Sequence, residues 1–599
     1  MRKLFLISVF TVITVAAIAV PAKRVWRTFV QPDGSSIELM LIGDERLHYF
    51  VTRDEVPVVE VDDVFYFAKS EDSMVKSTGV MAREAQFRQT EDLAAIHTIE
   101  EMEALREHTA IKGVRRVNRV GETDHPDYLG HKKGLIILAN FKDKKFWDYS
   151  AEDEGQATWE RYNAIANEVG YTNSTYGAIG SVHDYYYDQS YGKFNLTFDV
   201  VGPVQLSKNF SYYGANTQGD DRNAPEMIVE CCQLVDSLVD FNDYDWDGDG
   251  VVEEVFVLYA GYGEATGGAA NTIWPHMWTL SNAAYYNYKI PSEFKLDDAQ
   301  IDVYACSNEL YANYGHTEMG LGVICHEFSH CLGLPDFYDT SYGGNYGMAE
   351  WDILDSGSYN GPSGIGWVPA GYTSYERAYA GWLKYNELTY DRWVVNQKPL
   401  NERGNAYVIY NDKNKNEYYL LENRNKTKWD TYVPGSGLLI IHVDYNQAIW
   451  ESNSVNTTGY GNSHQRMTVF HASNSTRGGN DAYPYNGNDS LTDKSNPKAS
   501  LYNNNTDGSK LMHKPVTQIK RNKQSTYVSF FFSNKNNTMS QLLDRVDEWQ
   551  GQESGIAAVY TVNGVKVKDA VEESEVGNLP KGTYILRRND GSTTKMVVR

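Results

Sequence analysis

Short stretches in which apolar and polar residues alternate fill the first hundred positions and return beyond about position 400, whereas between them the apolar runs lengthen and take on helical spacing. FVQPDGSSIELMLIGDE (29–45) and HYFVTRDEVPVVEVDDVFYFA (48–68) alternate between turn signals and predict short strands. TEDLAAIHTIEEMEALREH (90–108) predicts a charged helical stretch, and VRRVNRVGETDHPDY (114–128) an exposed linker open to proteases. GLIILANFKD (134–143) and EEVFVLYAG (253–261) predict buried strands, with long helical patterns near 155–169 and 224–240, so this part is an α/β or α+β unit reaching to about 388. AYVIYND, EYYLLENR, GLLIIHVDY, RMTVFHAS and TYVSFFF then form a series of strands divided by Asn/Gly/Asp-rich loops, the pattern of a β-sandwich. NKNNTMSQ begins a polar linker, and the last fifty residues predict a small β module.

The amino terminus points to export. Arg2 and Lys3 precede an uncharged apolar run from Leu4 to Val20, and Ala17-Ile18-Ala19 supplies a small-residue cleavage site, with Val20-Pro21-Ala22 as a second one. An uncleaved anchor helix is the rival reading of the same run. No other segment has the length and apolarity to span a bilayer. A chain of 599 residues exceeds one core, and about three to five domains are expected. Its 79 acidic against 55 basic residues argue against nucleic acid as a partner, because phosphate binding needs clustered Lys and Arg. The five cysteines are too few for a disulfide scaffold and leave at least one thiol unpaired.

GLGVICHEFSHCLGLPDFYD (320–339) carries the chemistry. His326 and His330, four apart on a helix, differ by about 40° in azimuth, so both imidazoles project from one face and can chelate one ion. Glu327 lies on the neighbouring flank, where it can take a proton from a water polarised by the ion without being a ligand. Leu321, Ile324, Cys325, Phe328, Cys331 and Leu332 form an apolar arc on the opposite side. Gly333 suits the left-handed position that ends a helix, and the chain beyond it can return Asp336 towards the ion. Cys325 and Cys331 are expected to be core thiols, and His276 a structural histidine.

H-E-x-x-H-x-x-G-x-x-D, from His326 to Asp336, resembles the metzincins with aspartate as third ligand. With GEATGGAANTIWPHMW, WDILDSGSYNG and EYYLLENR…PGSGLLIIHVDY, the chain resembles the immune-inhibitor-A-like family of secreted bacterial zinc metallopeptidases over about residues 30 to 530. That resemblance implies a multidomain α+β protein: a signal peptide (1–22), a β-rich propeptide (23–128), a metzincin-like α/β catalytic domain (129–388), a downstream β-sandwich (389–535) and a small carboxy-terminal β module (550–599). It also implies Zn2+ held by His326, His330 and Asp336, with Glu327 as general base and protein or peptide substrates; Glu350 is the alternative third ligand. Where the family has a methionine beneath the metal this chain has Leu354, with Met348 close by. The last module resembles the sorting domains of the type IX secretion pathway, which implies that machinery as a partner.

DYDWDGDGVVEE (243–254) places carboxylates on alternate residues around sharp glycine turns, and Asp243, Asp245, Asp247, Asp249, Glu253 and Glu254 are candidate ligands of a structural Ca2+. The mechanism expected is hydrolysis of a peptide bond by a metal-activated water, with Tyr338 or Tyr359 as candidates to stabilise the oxyanion. Two readings from other classes compete: a glycan-binding or adhesive protein on a degenerate peptidase fold, and a structural envelope component. An intact Glu327 favours the enzyme.

Overall fold

The computed structural model describes residues 20–105 and 128–534, short gaps within them aside, and residues 556–561, 566–571, 579–588 and 593–598 of the carboxy-terminal module. The apolar leader up to Ala19 and almost all of the linker 114–128 lie outside the described residues.

Six antiparallel strands from Arg27–Val30 to Met74–Met81 follow one another in sequence order as a meander. Alternation along each strand sends Ile37, Leu39, Val58, Phe65 and Phe67 to one core and Ile42, Tyr49 and Val51 to another. The helical stretch predicted over 90–108 is broken into two short helices, Thr90–Leu93 and Ile99–Glu103, the second capped by Thr98.

The central unit is built on a five-stranded sheet in the order His276–Thr279, Val303–Leu310, Val255–Tyr262, Gly130–Asn140, Phe194–Gln205. Every pairing in it is parallel except that of the edge strand His276–Thr279. Both faces are buried, as the continuous apolar runs require. Leu135 and Ile137 face a core roofed by the helix Ala224–Val235, and Ile136 and Leu138 face the core that carries the helix Gly322–Cys331.

Past residue 385, a five-stranded and a three-stranded sheet pack on each other through Ile409, Tyr419, Leu438 and Ile440 on one side and Val394, Ile519, Val528 and Phe530 on the other. The outer face of the five-stranded sheet is no more exposed than the inner one. Leu420, Leu439, Ile441 and Val443 alternate with the inward residues and join the same core as the helix Gly322–Cys331. The carboxy-terminal module is a four-stranded antiparallel sheet around Val559, Tyr584 and Leu586. All five cysteines are buried, and no helix among the described residues is long and apolar enough to cross a membrane.

Candidate metal centre

The helix Gly322–Cys331 is buried along its whole length. Its back packs Phe328 against Phe198 of the central sheet, ring centroids 5.5 Å apart, and Tyr186 donates to the carbonyl of Cys325 at 2.8 Å. Its first turn meets the loop 357–366 at backbone distance. Gly322 N–H donates to the Gly366 carbonyl at 2.8 Å, and a Cβ at Gly322 would lie 2.0 Å from the Ser358 carbonyl oxygen, so only glycine fits. The helix therefore satisfies an orphan amine end from a neighbouring loop. Gly333, at φ 85°, ends it as the sequence predicts and turns the chain back towards the histidines.

Three donor atoms meet at that point. His326 Nε2 and His330 Nε2 are 3.1 Å apart, and Asp336 Oδ1 lies 3.2 Å from the first and 3.4 Å from the second. Each imidazole donates its other nitrogen to a carbonyl, His326 Nδ1 to Ile353 at 2.6 Å and His330 Nδ1 to Leu334 at 2.8 Å. In those tautomers both Nε2 atoms present lone pairs to the carboxylate oxygen, which leaves three electron-rich atoms in mutual contact. Tetrahedral zinc with bonds of about 2.0–2.1 Å would hold its ligands about 3.3–3.4 Å apart. The residues fit a cation of that kind and make no sense as hydrogen-bonding partners of one another.

Asp336 is fixed from outside the central unit. Asn453 donates from Nδ2 to Asp336 Oδ2 at 2.7 Å and accepts the Asp336 backbone N–H on Oδ1 at 2.7 Å. Asn453 was not foreseen from the sequence, and no local signal marks it. Glu350, the alternative third ligand, is exposed and lines a cavity of about 1040 Å³ together with Tyr338, Asp355 and Tyr432. Leu354 and Met348 are both buried in the core around the helix, and the carbonyl beside Leu354, that of Ile353, orients His326.

Glu327 Oε1 accepts the backbone N–H of Val20 at 3.0 Å. Residues placed by the sequence at the end of the signal segment thus lie buried in the cleft. Trp274 Nε1 donates to the Val20 carbonyl at 3.1 Å, Tyr359 donates its hydroxyl to the Pro21 carbonyl at 2.9 Å, and Lys23 N–H donates to the Ala265 carbonyl at 2.9 Å. Tyr338 is instead packed among Ile42, Leu47 and Tyr49 of the amino-terminal sheet. His276 is buried between the Trp274 carbonyl and the Tyr304 hydroxyl, and burial pushes it down to about 4.

Of the six candidate calcium ligands, Asp245, Asp247 and Glu253 come together. Asp243 pairs with Lys133 at 2.9 Å, and Asp249 accepts the Val251 N–H at 2.9 Å. Glu254 turns away from the loop into the core beside Cys331, where burial raises it to about 8. Glu253 and Glu254 occupy the bend between the strands Val251–Val252 and Val255–Tyr262, one turned to the loop and the other to the core.

Residues 127–385 match the family model of the catalytic domain of immune inhibitor A peptidase M6. The chain is similar to the pre-pro-metalloprotease PrtV of Vibrio cholerae serotype O1, at 27% identity over 296 residues, covering 43% of this chain and 31% of that protein. It is also similar to immune inhibitor A of Bacillus thuringiensis subsp. alesti, at 24% identity over 303 residues, covering 43% of this chain and 42% of that protein. The matched region thus spans less than half of the length of either relative. These similarities support the peptidase M6 family for the central unit.

Proposed function

We propose that the chain is the latent precursor of an exported zinc endopeptidase, with His326, His330 and Asp336 as metal ligands and Glu327 as general base. The observation that carries this reading is the contact of three lone-pair donors at 3.1–3.4 Å beside a buried carboxylate that is not among them. Zinc in this donor set supplies Lewis acidity towards the scissile carbonyl and lowers the pKa of a water to near neutral. Glu327, one residue from a ligand, takes the proton of the attacking water and delivers it to the leaving amine. Tyr359 already donates to a main-chain carbonyl in the cleft, and the same hydroxyl would donate to the substrate carbonyl as negative charge builds on it.

Latency follows from occupancy. Val20 to Lys23 run through the cleft as a substrate would, and the Val20 N–H holds the oxygen that the base needs. Processing after Ala19 leaves this segment in place, whereas processing after Ala22 would remove it, so the first cleavage site fits the precursor better. The acidic loop at Asp245, Asp247 and Glu253 is read as a structural calcium site, and the last module as an export signal on the strength of its sequence resemblance alone. Zinc analysis and casein digestion, comparing wild type with Glu327→Gln after removal of the amino-terminal unit, test the central claim. Bound zinc with no digestion by the variant is expected; equal digestion by both proteins would refute the assignment of the base.

A further inference from the structure

The rim of the cleft opposite the metal helix contains a short 3-10 turn, Glu264–Thr266, closed by Gly267 at φ 90°. Two cationic side chains of the amino-terminal unit are seated on it. His48 Nε2 meets Glu264 Oε1 at 2.9 Å, while His48 Nδ1 donates to the Asp44 carbonyl at 2.9 Å, so both ring nitrogens act as donors. Arg27 donates to the carbonyls of Gly267, at 3.2 Å, and Thr266. These carbonyls belong to the carboxyl end of the turn, where backbone oxygens lack partners and favour positive charge. Gly267 allows the close approach, since a Cβ there would collide with the guanidinium.

The turn touches the same segment that reaches Glu327. Its Ala265 carbonyl accepts the Lys23 N–H, a main-chain contact that does not depend on the side chain of the bound segment. Trp274 links the turn to the centre: its ring stacks on His48 at 4.6 Å, and its Nε1 donates to the Val20 carbonyl, next to the N–H held by Glu327. Val20 and Lys23 are three residues apart, which an extended chain covers in about 10 Å. A peptide lying along the same path would bring a side chain to Glu264 within a few residues of the scissile bond. An interface made only to be discarded is more simply built from apolar contacts, because burying a charge pair is costly in desolvation. A carboxylate retained at the rim makes sense if it has a second partner.

We propose that Glu264, with the carbonyls of Thr266 and Gly267, forms a cation-accepting subsite of the mature cleft. His48 and Arg27 fill it in the precursor, and a lysine or arginine side chain of the substrate takes their place once the amino-terminal unit has left. The inference rests on the peptidase reading above and adds a specificity to it. A site built to pair a buried charge discriminates strongly against an uncharged analogue.

The test uses enzyme released from its full chain and a set of peptides that differ only by Lys, Gln or Glu at each of the four positions on either side of the cleaved bond. At one position the lysine peptide is expected to have at least about a tenfold higher kcat/KM than the glutamine peptide. That ratio should fall close to one in Glu264→Gln, and in Glu264→Lys the preference should move to a glutamate peptide. A wild-type profile without basic preference at any position would overturn the proposal without any variant. So would a preference that survives both substitutions. If wild type cleaves none of the peptides, the peptidase reading itself fails; if it cleaves them without regard to charge, only the subsite does.

Discussion

Replacing Asn453 should loosen the metal site even though it stands 117 positions from the ligand it holds. Its Nδ2 donates to the ionised Asp336 carboxylate at 2.7 Å, a charge-assisted bond worth about 1.5–3 kcal/mol, and its Oδ1 accepts the Asp336 N–H at 2.7 Å, worth about 0.5–1.5 kcal/mol. Both partners are buried, so little water can replace the lost bonds. The two act on one residue and are not additive. A combined loss of about 2–3 kcal/mol weakens metal binding by about 30- to 150-fold, near the range usual for groups that orient a ligand. Asn453 also sits at φ 52°, a conformation asparagine tolerates better than alanine. Asn453→Gly is therefore the cleaner variant, since it removes the side chain and keeps the backbone relaxed. Asn453→Asp should be worse than either, because it sets a second carboxylate against Asp336 where a donor stood. The assay is chelator competition for zinc, with thermal melting alongside to separate ligand release from general unfolding. Unchanged zinc affinity in Asn453→Gly, or an Asn453→Asp protein as tight as wild type, would refute the view that this amide positions the ligand.

Burial opposes protonation of His48, yet the Glu264 carboxylate more than offsets it and lifts the imidazole to about 9. A histidine raised in this way contributes fully below its ordinary value near 6.5 and loses that contribution as pH climbs through about 9. The amino-terminal unit should therefore be released faster at about pH 9.5 than at pH 7, followed by size-exclusion chromatography after the linker is nicked, and His48→Gln should flatten the dependence; equal rates for wild type at both pH values would contradict this. Glu254, raised by burial to about 8, keeps a proton that the unfolded chain gives up near 4.5, so stability declines across that window and the penalty is complete above it. Glu254→Gln should raise the melting temperature at about pH 8 and lose that advantage near pH 4, and an effect independent of pH would show that charge is not the cause. A fragment ending at residue 388 should bind zinc weakly and expose apolar surface to a hydrophobic dye, since it lacks Asn453 and the sheet face of Leu420, Leu439 and Ile441; a monomeric fragment with wild-type zinc affinity would overturn this.

The parts of the centre that could be read in the sequence are those whose geometry is set within one or two turns of chain. The four-residue spacing of His326 and His330 fixes their common face, and Gly333 and Asp336 follow closely enough for the return of the chain to be anticipated. Asn453, the Val20 contact to Glu327 and the His48–Glu264 pair were not legible, because each joins segments more than 100 residues apart through side chains of ordinary type. In the acidic loop the composition was legible and the division of labour was not. Which of two adjacent glutamates faces the loop is decided in the bend between Val252 and Val255, and the spacing of the carboxylates does not fix it.

The strands beyond residue 400 were legible as strands, yet their surroundings were misjudged in a way that bears on function. GLLIIHVD (437–444) has apolar residues on both sides of the pleat, and such a strand must be covered on both faces. One cover is the partner sheet of the sandwich. The other is the central unit itself, whose core runs without interruption from Tyr128 through the metal helix to Ala482. Boundaries placed at changes of pattern therefore divide elements that share a core. Asn453 reaches Asp336 across that shared core, through two hydrogen bonds of 2.7 Å. The amino-terminal segment reaches Glu327 separately, through Val20. The seam that can open without exposing that shared core is the one that carries the paired charges at Glu264 and His48.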